Sequence, residues 1–126
     1  MKNNQRFIKL AVEEAKKTFY RVKVGCVIFD KNKVLSKGHN DPLKSAKNLH
    51  PQFQKFKGSI HAEVDAILHA KRDLKGACML IVRVNRFNQF RMAKPCADCM
   101  KYITKIGIKK VFYSIVGFPY FEEFRV

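Results

Sequence analysis

Two stretches of this chain leave a strand no solvent-facing side. Val24, Cys26, Val27, Ile28 and Phe29 follow one another with almost no polar break, and so do Ala77, Cys78, Met79, Leu80, Ile81 and Val82. A half-exposed strand alternates apolar with polar residues, whereas a near-continuous apolar run is the pattern of a strand buried on both faces. Such strands lie inside a sheet, and helices must then cover both of its sides.

The remaining periodicities supply those covers. Phe7, Ile8, Ala11, Val12, Ala15 and Phe19 recur at helical spacing and predict a helix over residues 4–20, with Asn3 or Asn4 as its cap. Ala62, Ala66, Ile67 and Ala70 predict a second helix over 60–72. Met100, Ile103 and Ile106 predict a third over 95–106, begun by Pro95 in its first turn and stopped by Gly107. Strands are expected over 22–29, 34–39, 77–84, 110–115 and 121–126. The turn at 30–33 is short enough to make the first two strands antiparallel. Residues 116–120 are likewise too few for a crossover helix, so the last two strands must form a hairpin. The expectation is one α/β domain over residues 1–126: a three-layer sandwich with a central five-stranded mixed sheet, helices on both faces, and a C-terminal hairpin. Residues 40–59 and 85–94 show no periodicity and read as loops.

Charge and cysteine usage narrow the class. The formal net charge is +16, which calls for an anionic partner unless the lysines are simply solvated. No apolar run approaches the ~18 residues of a membrane span, and the first residues carry no apolar core of a signal sequence. A soluble, cytoplasmic protein with no membrane partner is expected. Cys26 and Cys78 lie in the apolar runs and read as buried free thiols.

The chemistry concentrates in His61-Ala62-Glu63 and Pro95-Cys96-Ala97-Asp98-Cys99. A C-x-x-C alone fits a redox pair or half of a structural zinc site, and H-x-E alone is weak. Together they offer one imidazole and two thiolates, three corners of a zinc tetrahedron with the fourth open, which is the catalytic pattern. Cys96 and Cys99 share a helix face and would sit at a helix N-terminus, where the dipole favours thiolates. His61 and Glu63 are about 200° apart around a helix, so they can serve one site only at its start. Gly58-Ser59 just before them fits a start there. Zn2+ lowers the pKa of a bound water, and Glu63 is the natural proton carrier.

H-A-E followed by P-C-x-x-C resembles the signature of the zinc-dependent cytidine/deoxycytidylate deaminase superfamily, phage-encoded members included. The resemblance implies the same α/β architecture, Zn2+ on His61, Cys96 and Cys99, and Glu63 as acid–base catalyst. It implies hydrolytic deamination of cytosine in a nucleotide (dCMP or CMP) to uracil and ammonia. It further implies the Ala62 backbone N–H facing the base, with Pro95 beside it. Gly38-His39-Asn40 resembles the G-x-N stretch at the sugar, although Asn40 also suits a turn. Phe112 or Tyr113 is expected to stack on the base. Lys44, Lys47, Arg91 and Lys94 are candidate phosphate contacts. His39, His50 and His69 are rival metal ligands. The hairpin ending resembles deaminases of free nucleosides. Phe87 and Phe90, interleaved with Arg83, Arg86, Arg91 and Lys94, resemble a surface that stacks bases and neutralises phosphates, and fit equally a core-anchored loop with solvated charges.

Two alternatives stand beside the nucleotide enzyme. One is a cytosine deaminase acting on single-stranded DNA or RNA. The other is a non-catalytic nucleic-acid-binding protein with structural zinc, against which Glu63 argues. A homo-oligomer is left open.

Overall fold

The computed structural model describes residues 5–18, 21–40 and 61–126. Among them the elements run α1 (Gln5–Ala15), β1 (Lys23–Asp30), β2 (Lys33–His39), α2 (Ala62–Ala70), β3 (Cys78–Val84), β4 (Phe90–Arg91), α3 (Ala97–Ile106), β5 (Lys110–Ser114) and β6 (Phe121–Arg125). The main sheet order is β2-β1-β3-β5-β6. β1 is antiparallel to both β2 and β3, β3 is parallel to β5, and β6 returns antiparallel to β5. The two apolar runs, β1 and β3, are therefore adjacent inner strands, as their composition requires.

Alternation along the strands sorts the core into two layers. Val27, Phe29, Leu80, Val82 and Phe112 pack with Phe7, Ala11 and Ala15 of α1. Cys26, Ile28, Met79, Ile81, Val111 and Tyr113 pack on the opposite face with Ala62, Ala66 and Ile67 of α2 and Ile103 of α3. Each fully buried aliphatic side chain in these layers contributes roughly 1.5–3 kcal/mol by leaving water.

Two glycines set how closely the helices approach. A Cβ on Gly25 would overlap the backbone of α1 at Ala11 and Ala15. A Cβ on Gly38 would overlap the Ala66 amide and stand 2.8 Å from the Ala62 carbonyl. Both helices therefore rest directly on strand backbone.

The structure departs from the sequence-based expectation in detail. The first helix ends at Ala15, followed by a tighter turn in which the Lys17 N–H donates to the Glu14 carbonyl (3.1 Å). Asn3 and Asn4 lie outside the described residues. Pro95 stands before α3 rather than in its first turn, because Cys96 takes the N-cap. Residues 85–94 are not a plain loop. The Asn85 side-chain oxygen accepts the N–H groups of Phe87 and Gln89, both at 2.9 Å, and turns the chain into β4. β4 pairs with β3 and adds a sixth strand beside the expected five. No described helix is long and apolar enough to cross a membrane.

Gly38→Ala should force α2 off β2. It should lower stability by about 1–3 kcal/mol, the usual cost of overpacking, read as a reduced urea midpoint. An unchanged midpoint would mean that this close approach does not constrain the fold.

Candidate active site

α2 and α3 lie on the same face of the sheet, and their first residues meet. His61 is the N-cap of α2, in extended conformation (φ −78°, ψ 152°). Cys96 is the N-cap of α3, its Sγ accepting the Cys99 N–H at 3.5 Å. The ligand atoms of His61, Cys96 and Cys99 all lie within 4.8 Å of one another, and His61 Nδ1 is 3.2 Å from Cys99 Sγ. Cys99 is buried, His61 half-buried and Cys96 exposed, so the cluster opens to solvent on one side. Two helix N-termini aim their partial positive ends at this point, which suits anionic sulfur.

Glu63 follows in the first turn of α2 and is buried. Its carboxyl is hydrogen-bonded to the Cys99 thiol. Burial pushes the Glu63 carboxyl above the usual carboxylate range, partly countered by its backbone N–H and by His61. Burial also pushes the Cys99 thiol far up, reinforced by the charges of Glu63 and Cys96. The donor set therefore fits a divalent ion such as zinc. Two thiolates and a buried carboxylate are poorly compatible as anions on their own, and together with a neutral imidazole become compatible around a cation.

Two buried polar side chains, not singled out from the sequence, hold the site's supports. Asp65 is 2 % exposed, and its Oδ2 accepts the His39 N–H at 3.0 Å, tying the first turn of α2 to the end of β2. Its Oδ1 stands 3.5 Å from His69 Nδ1. Ser114 is fully buried where β3 parts from β5 and takes up β4. Its hydroxyl accepts the Arg83 N–H (3.0 Å) and donates to the Arg91 carbonyl (2.7 Å), bridging β3 to β4. Its carbonyl accepts the Ala93 N–H at 2.9 Å. Ser114 thus fixes the segment that runs directly into Pro95 and Cys96. The available signal was a polar residue inside an apolar run: Asp65 in Val64-Asp65-Ala66-Ile67, and Ser114 in Val111-Phe112-Tyr113-Ser114-Ile115.

The other candidates fall in different places. Ala62 is buried beside the cluster as the first residue of α2. Asn40 is committed to β1: Nδ2 donates to the Val22 carbonyl (2.6 Å), and Oδ1 accepts the Val24 N–H (2.9 Å). Tyr113 lies on the α2–α3 face, its hydroxyl donating to Glu122 Oε2 at 2.8 Å. Phe112 must be corrected: strand alternation turns it to the α1 face, 6.4 Å from the Phe29 ring, away from the cluster. Of the rival ligands, His39 Nδ1 pairs with Glu14 Oε1 at 2.9 Å, and His69 lies beside Asp65; neither joins the cluster among the described residues. For Glu14, burial alone would raise the carboxyl, but hydrogen bonds and charge from Lys17 and His39 hold it below its ordinary value. His50, Lys44 and Lys47 lie outside the described residues. Arg91 and Lys94 are exposed on the segment leading to Cys96. Arg91 stands directly opposite Arg83 across β3 and β4. Arg83 follows Met79 and Ile81 at two-residue steps and so shares the face of α2 and α3.

Comparison with known proteins agrees with this arrangement. The family profile described as "Cytidine and deoxycytidylate deaminase zinc-binding region" matches residues 1–115. An uncharacterized deaminase in the luxG 3' region of Aliivibrio fischeri is 32 % identical over 92 residues, covering 71 % of this chain and 56 % of that protein. The deoxycytidylate deaminase of Enterobacteria phage T4 is 36 % identical over 73 residues, covering 56 % of this chain and 32 % of that protein. The chain thus spans little more than half the length, or less, of these curated relatives. The dCMP deaminase from cyanophage S-TIM5, solved in complex with dCMP and dUMP, shares the fold. Its TM-score is 0.64 at 22 % identity, covering 93 % of this chain and 85 % of that one.

Ser114→Ala should leave the Arg83 N–H and the Arg91 carbonyl without their bridge. The expected loss is about 1–3 kcal/mol in urea unfolding. Faster amide exchange at Arg83 and Ala93 should accompany it. Unchanged exchange at both would remove Ser114 from its role in holding this segment.

Proposed function

Since the chain belongs to the cytidine and deoxycytidylate deaminase zinc-binding family, we propose that it hydrolyses the amino group of a cytosine nucleotide, with dCMP the specific candidate. The observation that carries this reading is the convergence of His61, Cys96 and Cys99 with the buried Glu63 at two helix starts. In this reading His61, Cys96 and Cys99 hold a zinc ion. When bound, the ion supplies Lewis-acid activation, lowering the pKa of a water in the remaining position.

Glu63 moves the protons. Its buried carboxyl is suited to take a proton from the attacking water and return it. Water adds at the amine-bearing carbon of cytosine. Glu63 delivers the water's first proton to the adjacent ring nitrogen, then takes the remaining proton from the added hydroxyl and passes it to the departing amine, giving uracil and ammonia. The Ala62 N–H, at the start of α2, faces the base. Asn40 is held by β1 through one amide hydrogen and one lone pair, so the second of each can serve the sugar. Pro95 and Tyr113 border the base from the α3 and β5 sides.

A phosphate-bearing substrate is favoured over a free nucleoside by Arg83 and Arg91. Like charges directly opposite on neighbouring strands destabilise a sheet, and an anion between them relieves the repulsion. Lys94, on the same segment, adds a third cation near Cys96.

The test is one assay panel on purified protein carrying about one zinc per chain: dCMP, CMP, deoxycytidine, cytidine and adenosine, followed by ammonia release. Turnover of dCMP or CMP above the nucleosides is expected. Glu63→Gln should retain zinc and fold while losing about 10²- to 10⁴-fold in kcat. A zinc-loaded wild type inactive on the whole panel would overturn the reading. Near-normal turnover by Glu63→Gln would show that another group carries the proton.

A further inference from the structure

At the end of the sheet where β3 and β5 stop, an aromatic ledge stands in solvent. Phe118 is 87 % exposed and Tyr120 47 %, and Phe87, 66 % exposed, stands on the turn that leads into β4. Phe118 meets Tyr120 edge to face at 6.0 Å, and Tyr120 lies 6.2 Å from Phe90, which is anchored on Phe121. Gln89, Phe90, Arg91, Val116 and Tyr120 help to line a groove of ≈ 370 Å³ beneath it, and no carboxylate lines that groove. Arg86 lies over the Phe87 ring at 4.9 Å. Among the described residues, none of Arg83, Arg86, Arg91 and Lys94 is held in an ion pair.

We propose that this ledge binds single-stranded nucleic acid, with bases stacked on Phe87, Phe118 and Tyr120 and phosphates on the adjacent arginines. Two physical requirements of such a partner are met together. Unpaired bases need exposed π-faces, and the backbone between them needs cations not already neutralised. The rings are also held in place. The Tyr120 N–H donates to the Gly117 carbonyl (2.8 Å) and the Ile115 N–H to the Tyr120 carbonyl (2.9 Å). This locks a left-handed Tyr120 (φ 72°), so little ordering remains to be done on binding. The charge selects the occupant. A second copy of the chain would bring another +16 to a surface that already repels it, whereas a polyanion is attracted. The proposal is independent of the deaminase reading, because stacking and phosphate contacts do not require cytosine.

The experiment is fluorescence anisotropy of the zinc-loaded full chain with a labelled thymidine-only strand of about 20 nucleotides, long enough to span a stacking platform. Without cytosine, the strand offers nothing to deaminate. Binding is expected, weakening by about 0.7 logarithmic units per phosphate contact per decade of salt. Phe118→Ser and Phe87→Ser should each weaken it about tenfold, and Phe118→Tyr should restore it. Lys105→Ala, a charge removed from the far end of α3, should stay within about twofold of wild type. Four results would each overturn the proposal. They are no binding by the wild type, serine variants with wild-type affinity, a duplex of the same length bound equally well, and a concentration-dependent dimer in sedimentation that Phe118→Ser abolishes. The last would assign the ledge to a second copy.

Discussion

The structure depends on bringing the starts of two helices to one point. His61 and Cys96 are far apart in the chain, yet each caps a helix lying on the same face of the sheet. The parallel pairing of β3 with β5 makes this unavoidable for α3, since the connection between parallel strands must cross the sheet and return. For α2 the position is set by contact. Gly38 lets the helix rest on β2 backbone, and Asp65 clips its first turn to the end of that strand. A helix displaced by the width of a methyl group would carry His61 and Glu63 away from the two cysteines.

The electrostatics follow from the same geometry. Helix N-termini present unpaired N–H groups and a partial positive charge, so they favour thiolate and carboxylate groups that burial alone would keep neutral. Glu63 and Cys99 are buried, hydrogen-bonded to each other and both pushed up by desolvation. A divalent cation resolves the conflict, because it replaces the lost hydration of all three ligands at once. On β3 and β4, Arg83 and Arg91 form the opposite situation, two cations paired across strands.

Ser114 shows how a single hydroxyl can join chemistry to architecture. β3 is longer than the part of β5 that pairs with it, and the unpaired remainder accepts β4. The hydroxyl bridges Arg83 to Arg91 at that junction, where a direct ladder bond would otherwise be made. The chain then proceeds through Ala93, itself bonded to Ser114, into Pro95 and Cys96. The site's geometry therefore rests on the sheet and not on the loop's own conformation.

Much of this was legible in one dimension, where the physics is local. Unbroken apolar runs identified the inner strands, helical spacing identified the covers, and the brevity of residues 116–120 dictated the antiparallel β5–β6 hairpin. The requirement that His61 and Glu63 share a site placed a helix start beside them, expected at residue 60 and found at Ala62, and the pairing of an imidazole with C-x-x-C pointed to the metal cluster. Other features depended on what lies opposite a residue in space. Phe112 and Tyr113 are neighbours in sequence, and only the sheet's packing decided that Tyr113 lies on the α2–α3 face while Phe112 packs beneath α1. β4 is two residues long, too short to carry a period, and exists because β3 offers a free edge. Asn40 read as a sugar contact, with a turn former as the alternative, and only the structure shows its amide tied to Val22 and Val24. Asp65 and Ser114 carried no motif, since a buried polar group is defined by its partners. The sequence by itself determined the chemistry available to this protein and the elements that bear it, because ligand type and periodicity are properties of residues and their neighbours. The tertiary structure alone decided which groups meet, because burial, register and the partners of buried polar atoms arise only once distant segments are packed together.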